Sequence, residues 1–195
     1  MNQSFGQPIN DPDSPVNAHM RNQLEQYLRL FPASRAQVLG YWLDDTLTSR
    51  TDLGHLLFRP SVLQQELRYY RSLGIANVTT FGVFSMKDQF SSNAPPVVFL
   101  YPELLWNQDT NVEARLREYC RFYFGDESAF EVLAAIQKLD GIVYVEDSAV
   151  KIEEEHLPEF GQLLTAALSR ATSLMEGQSD EIYRNRLAKL VIEVG

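Results

Sequence analysis

Residues 60–84, PSVLQQELRYYRSLGIANVTTFGVF, decide the fold, because a helical pattern changes there into a strand pattern. Leu63 and Leu67 recur at helical spacing, and Gly74 occupies a position that suits the end of a helix. Residues 75–84 are rich in β-branched and aromatic side chains, which are typical of a strand. The stretch therefore predicts a helix that leads directly into a strand.

A second strand is predicted upstream, at residues 37–43, where the short apolar run QVLGYWL ends at Asp44 and Asp45. Apolar residues at helical spacing precede this run and end before Pro32. The order helix, strand, helix, strand predicts two strands that lie parallel and side by side, with the intervening helix crossing between them.

The pattern becomes mainly helical after residue 110. Residues 96–106 fit either a strand or a helical turn begun by proline, and Trp106 is expected to anchor helix packing. A small hairpin is predicted within 142–152, and two helices are predicted after it. Aromatic residues concentrate before Gly125 and the acidic excess follows it, so we divide the chain into residues 1–125 and an acidic, mainly helical region, 126–195.

Charge and composition exclude several classes of function. The net charge is −9, and an acidic chain repels nucleic acids and anionic membranes, so neither is predicted as a partner. Cys120 is the only cysteine and the three histidines lack ligand spacing, so neither a metal nor another cofactor is predicted. The chain as given carries no secretory signal and no long apolar run, which predicts a cytoplasmic location.

Five stretches of the chain occur in an order that resembles a known family. They are INDPDSPVN (9–17), YWLD (41–44), LRYYRSLGI (67–75), TTFG (79–82) and LLWN (104–107). In this order they resemble the uncharacterised family called domain of unknown function 4838, whose members look like barrel-type glycoside hydrolases. The resemblance covers about residues 6–125, and Asn107 stands where an acidic residue is common in the family.

The resemblance implies an α/β fold: a partial (β/α) barrel-type layer with parallel strands, followed by a mainly helical C-terminal region. A complete barrel needs eight strands and about 250 residues, so 195 residues can supply only part of one. Unpaired strand edges recruit other chains, which predicts a homo-oligomer or a partner chain that supplies the missing strands. The implied function is that of a carbohydrate-active, glycoside-hydrolase-like fragment that is inactive alone. The alternative is a non-catalytic interaction or structural protein that associates with a partner chain.

The candidate site residues lie where the predicted strands end. Asp44 matches the family motif and is the catalytic candidate; Tyr41, Trp42, Asp45 and Thr80 are candidates for binding a sugar. Glycoside hydrolysis needs two carboxyl groups across one bond, and neighbouring strand residues point to opposite sides, so Asp44 and Asp45 are not expected to form that pair. The structural alternatives are that the two aspartates cap the following loop, that the aromatic rings fill the core, and that Thr80 reflects ordinary β-propensity.

Overall fold

A computed structural model describes residues 7–44, 59–83, 94–146 and 149–194. These residues form seven α-helices and four strands, joined in places by short 3-10 turns. The elements are α1 Pro15–Leu30, β1 Gln37–Asp44, α2 Pro60–Ser72, β2 Asn77–Val83, α3 Ala94–Trp106, α4 Val112–Tyr123, α5 Phe130–Ile142, β3 Val143–Glu146, β4 Ala149–Ile152, α6 Leu157–Gly177 and α7 Glu181–Val194.

The strands β1 and β2 pair in parallel, and α2 lies between them in the chain. Their register begins with Gln37 opposite Asn77 and ends with Asp44 opposite Val83. The parallel pairing predicted from the sequence is therefore confirmed, and so is the hairpin, because β3 and β4 form a separate antiparallel pair.

The predicted partial (β/α) barrel-type layer is wrong. Within the described residues, the parallel sheet has two strands only, and most of the chain is helical. The apolar run that fits a further strand belongs instead to α3, where Leu100 and Leu104 lie one turn apart and are fully buried. The apolar side chains of α3 pack against other helices in the core, so this segment is a helix and not a strand of the sheet.

The main core is built by helices from both halves of the sequence. It contains Leu63 from α2, Leu100 from α3, Leu133 from α5 and Leu187 and Leu190 from α7. These side chains are at most 1% exposed. The core therefore joins residues before and after Gly125 into one packed cluster.

A smaller cluster lies at the amino-terminal ends of β1 and β2. Its buried members are Ile9, Ala36, Tyr70 and Ile75, and apolar side chains of α1 pack against it. The helix α1 begins with Pro15, and the Ser14 side chain accepts a hydrogen bond from the backbone N–H of Asn17 at 3.3 Å. This cluster and the main core together cover the inner face of the strand pair, since Val78 packs against both.

Two glycines end helices with a positive φ. Gly74 follows α2 with φ of 79°, and Gly125 follows α4 with φ of 75°. Gly125 is also crowded, because a Cβ atom there would lie 2.4 Å from Cδ2 of Tyr183 in α7. The turn after α4 is thus fitted closely against the ring of Tyr183. Among the helices of the described ranges, none combines the length and apolar character needed to cross a membrane.

Candidate functional site

The strand β1 carries a bulge at its YWLD motif. Gly40 is opposite Thr80, but the next register pair is Leu43 with Gly82, so two residues of β1 stand against one residue of β2. The two residues are Tyr41 and Trp42. A bulge of this kind redirects side chains and is frequent beside active sites, because it interrupts the regular alternation of the strand. The backbone is therefore irregular at YWLD, which is one of the five stretches of the resemblance.

Gly40 makes room for the indole of Trp42. A Cβ atom at Gly40 would lie 3.1 Å from Cδ1 of Trp42 and 3.6 Å from the carbonyl oxygen of Thr79. Trp42 is half-buried and packs against the main core. The glycine thus allows the indole to lie close along its own strand.

A buried carboxyl group holds the indole of Trp42. The indole Nε1–H of Trp42 donates a hydrogen bond to Oε2 of Glu66 at 3.1 Å, and Glu66 is only 1% exposed. Transferring a carboxyl group from water to the protein interior costs free energy unless the group gains hydrogen-bond partners. The indole N–H of Trp42 is one such partner of Glu66. Glu66 stands on the apolar face of α2, among the buried residues Val62, Leu63, Leu67 and Tyr70.

Two buried tyrosines share the interior with Glu66. Burial, with the nearby charge of Glu66 adding to it, raises the pKa of Tyr70 well above its ordinary value. Burial also raises the pKa of Tyr101 to about 12, and the Tyr101 hydroxyl has no hydrogen-bond partner within the described parts of the chain. Both hydroxyls are therefore protonated at neutral pH, and neither is a base.

The structure describes the predicted site residues to different extents. Trp42 is held as described above, and Thr80 is half-buried opposite Gly40. Asp44 ends β1 as the register partner of Val83. The side chains of Tyr41 and Asp44 are not described, and Asp45 lies outside the described residues. Their roles toward a sugar stay predictions.

Glu66 is the residue that the sequence reasoning missed. Its signal is present in the sequence, because Glu66 lies three residues after Leu63 and four before Tyr70. That spacing puts a carboxyl group on the apolar side of an amphipathic helix. Charged side chains are almost never fully buried unless they have a partner, so this position indicates a buried polar contact.

Two other groups of reactive side chains lie elsewhere. Glu153, Glu155 and His156 hold ligand atoms within 4.8 Å of one another, but both glutamates are exposed. Exposed acidic side chains often cluster without an ion, so this group alone indicates no metal site. Cys120 is buried, and burial raises its pKa to about 12, so its thiol is not a nucleophile at neutral pH.

No protein-family model matches this chain, and neither a curated protein nor a solved structure shows significant similarity to it.

Proposed function

We propose that this protein binds carbohydrate at the carboxyl ends of β1 and β2. One observation carries the proposal: the two parallel strands end in register, at Asp44 and Val83, directly after a bulge that holds Trp42. Ligands of α/β proteins bind at the carboxyl ends of parallel strands. The same strand end bears YWLD, one of the five stretches that together resemble a family whose members look like glycoside hydrolases.

The residue types at this strand end suit a sugar. A sugar ring has an apolar C–H face, which packs on an aromatic ring such as that of Trp42, and hydroxyl groups, which donate hydrogen bonds to a carboxylate such as that of Asp44. Thr80, opposite Gly40, adds a hydroxyl group from the neighbouring strand. Aromatic and carboxylate groups together are thus the support for carbohydrate as the ligand class.

The proposal is for binding without hydrolysis by this chain alone. Retaining and inverting glycosidases hold two carboxyl groups about 5–5.5 Å or about 6.5–9.5 Å apart, on opposite sides of the scissile bond. Glu66, which accepts the hydrogen bond of Trp42, is a second carboxyl group to consider, but at 1% exposure it cannot contact a sugar. Asp44 is therefore proposed as a binding residue.

The first test compares Asp44→Asn with the parent chain. We expect the parent to bind at least one member of an oligosaccharide panel in calorimetry, and Asp44→Asn to bind it about tenfold more weakly, because a charge-assisted hydrogen bond is lost. Neither protein should hydrolyse aryl glycosides. Asp109→Asn is the matched control, because Asp109 is an exposed residue that pairs with Arg68 at 3.1 Å.

Two outcomes contradict this proposal. If the parent binds no sugar of the panel, carbohydrate binding is wrong. If the parent hydrolyses aryl glycosides and Asp44→Asn does not, Asp44 is catalytic and the chain is an enzyme.

The outer face of the strand pair favours a second candidate function, association with another copy of the chain. Leu39 is 55% exposed and stands opposite the exposed Thr79, whereas Val38 and Val78 pack inward. Parallel sheets are normally covered on both faces. The face that exposes Leu39 is therefore a surface that another copy of the chain can cover. This candidate corresponds to a non-catalytic interaction protein.

Leu39→Lys tests this second candidate. If copies associate through this face, we expect the substitution to weaken self-association at least about tenfold, because it places a charge in an apolar contact. Sedimentation analysis over a concentration series measures the effect. Leu30→Lys is the control, since Leu30 is also an exposed leucine but belongs to α1 and not to the strand pair. A parent chain that stays monomeric throughout the series rules out this association.

A further inference from the structure

We infer that Glu66 is a positioning residue for the carbohydrate site: it fixes the indole of Trp42 in the orientation that binds the sugar. The inference rests on the proposed function. Glu66 is too deeply buried to touch a ligand, so any effect on binding must pass through a neighbour. Trp42 is such a neighbour, because its indole N–H donates a hydrogen bond to Oε2 of Glu66 at 3.1 Å and the residue is itself half-buried.

The backbone around Trp42 departs from regular strand geometry. The bulge between Gly40 and Leu43 places Tyr41 and Trp42 opposite a single residue of β2. Gly40 has no side chain to confine the indole. The indole lies close to the position that a Cβ atom of residue 40 would occupy. A hydrogen bond to a fixed acceptor then selects one orientation of the indole ring. Glu66 is such an acceptor, because its side chain is buried on the apolar face of α2.

A fixed ring binds more tightly than a mobile one. Ordering a side chain on binding has a free-energy cost, and a ring that is already held in place avoids it. The hydrogen bond has an electronic effect as well, because an indole that donates its N–H to a carboxyl oxygen is polarised towards a more negative ring face. Sugar C–H groups pack on that face.

Heteronuclear NMR tests the inference, because the chain has two tryptophans in opposite environments. Trp42 donates to a buried carboxyl oxygen, while Trp106 is 91% exposed. We expect the indole proton of Trp42 to resonate downfield of the indole proton of Trp106, and a Trp106→Phe spectrum assigns the two signals. Glu66→Leu should move the Trp42 signal towards the position of a solvated indole and weaken sugar binding about tenfold.

Glu66→Gln separates positioning from charge. The glutamine side chain keeps a carbonyl oxygen that accepts the indole N–H, so the Trp42 signal should stay downfield and sugar binding should change less than about threefold. Gln65→Leu is the control, since Gln65 is the exposed preceding residue on the same helix. Far-UV circular dichroism confirms that each variant is folded.

A third variant keeps the inference testable if Glu66→Leu does not fold. Trp42→Phe retains an aromatic ring but has no N–H donor, so it should weaken sugar binding as Glu66→Leu does. Where both fold, the double variant should be no weaker than either single one, because both remove the same interaction.

Three results would overturn the inference. One is an unchanged Trp42 signal in Glu66→Leu. Another is an equal loss of sugar binding in Glu66→Gln and Glu66→Leu while the glutamine variant keeps its downfield signal, which would assign the effect to charge. The third is additive losses in the double variant. A parent chain that binds no sugar instead contradicts the proposed function and the role of Glu66 towards a sugar, and the NMR signal still decides whether Glu66 fixes the ring.

Discussion

Replacing Gly125 with alanine is expected to lower the free energy of unfolding by about 3 kcal/mol. Two independent effects contribute. The backbone at Gly125 has φ of 75°, a left-handed conformation that penalises residues with a Cβ atom. The new methyl group would also lie 2.4 Å from Cδ2 of Tyr183 and 2.8 Å from its Cε2, so the ring or the turn must shift. Urea unfolding followed by far-UV circular dichroism measures the change.

Gly161→Ala is the control for the effect of a glycine substitution. Gly161 lies inside α6, and apart from its own stretch of helix backbone no atom of the described residues lies within 4 Å of the position of its Cβ atom. Alanine should therefore stabilise the protein by about 0.5–1 kcal/mol, because it reduces the conformational freedom of the unfolded chain. If Gly125→Ala unfolds within about 0.5 kcal/mol of the parent, the close fit between the turn and Tyr183 is not present in solution.

Leu100→Ala is expected to lower the free energy of unfolding by about 2–5 kcal/mol. Leu100 is fully buried in the main core, and its truncation removes apolar contacts and leaves a cavity. Trp106→Ala is the control on the same helix. Trp106 is 91% exposed, so its removal should change stability by less than about 0.5 kcal/mol despite the larger side chain.

The pair of substitutions also tests how α3 is oriented. The sequence predicts that Trp106 anchors helix packing, and this prediction is wrong, because Leu100 and Leu104 face the core and Trp106 faces solvent. Unfolding monitored by circular dichroism is the suitable measurement, since tryptophan fluorescence would change with the removal of Trp106. A larger loss from Trp106→Ala than from Leu100→Ala would contradict the described orientation.

Local patterns were sufficient to predict the elements around the strand pair. Leu63 and Leu67 lie on the buried side of α2. Gly74 follows the helix with a positive φ, as glycine commonly does at the C-terminal end of a helix. The alternation of helix and strand then predicts parallel pairing, because a parallel connection needs a long crossover. These features depend on residues close in sequence, so they can be read without knowledge of the rest of the chain.

The architecture could not be predicted in the same way. Residues 96–106 have enough apolar and β-branched residues for a strand, and only packing against the other helices decides that they form α3. Short apolar runs do not distinguish a buried strand from a buried helix. The resemblance implied a barrel-type layer, but the described residues form a parallel sheet of two strands only.

The strand end that bears the candidate site residues was predictable, but their contacts were not. The residue types at 41–44 indicate a strand end with ligand-binding potential. The bulge beside Gly40 depends on how two distant segments align, and the sequence of one strand does not contain that register. Glu66 is visible as a carboxyl group on an apolar helix face, but its partner, Trp42, becomes known only when α2 is packed on the strands.

The order in which the core residues are synthesised has a consequence for folding in the cell. The main core begins at Leu63 and includes Leu187 and Leu190 of α7, which are fully buried. A ribosome therefore produces α2 to α6 before the α7 side chains that complete the core, so the apolar surface that α7 covers stays exposed until α7 has left the exit tunnel. Exposed apolar surface of this kind promotes aggregation and is what chaperones bind, so the nascent chain needs protection of this surface until α7 is made.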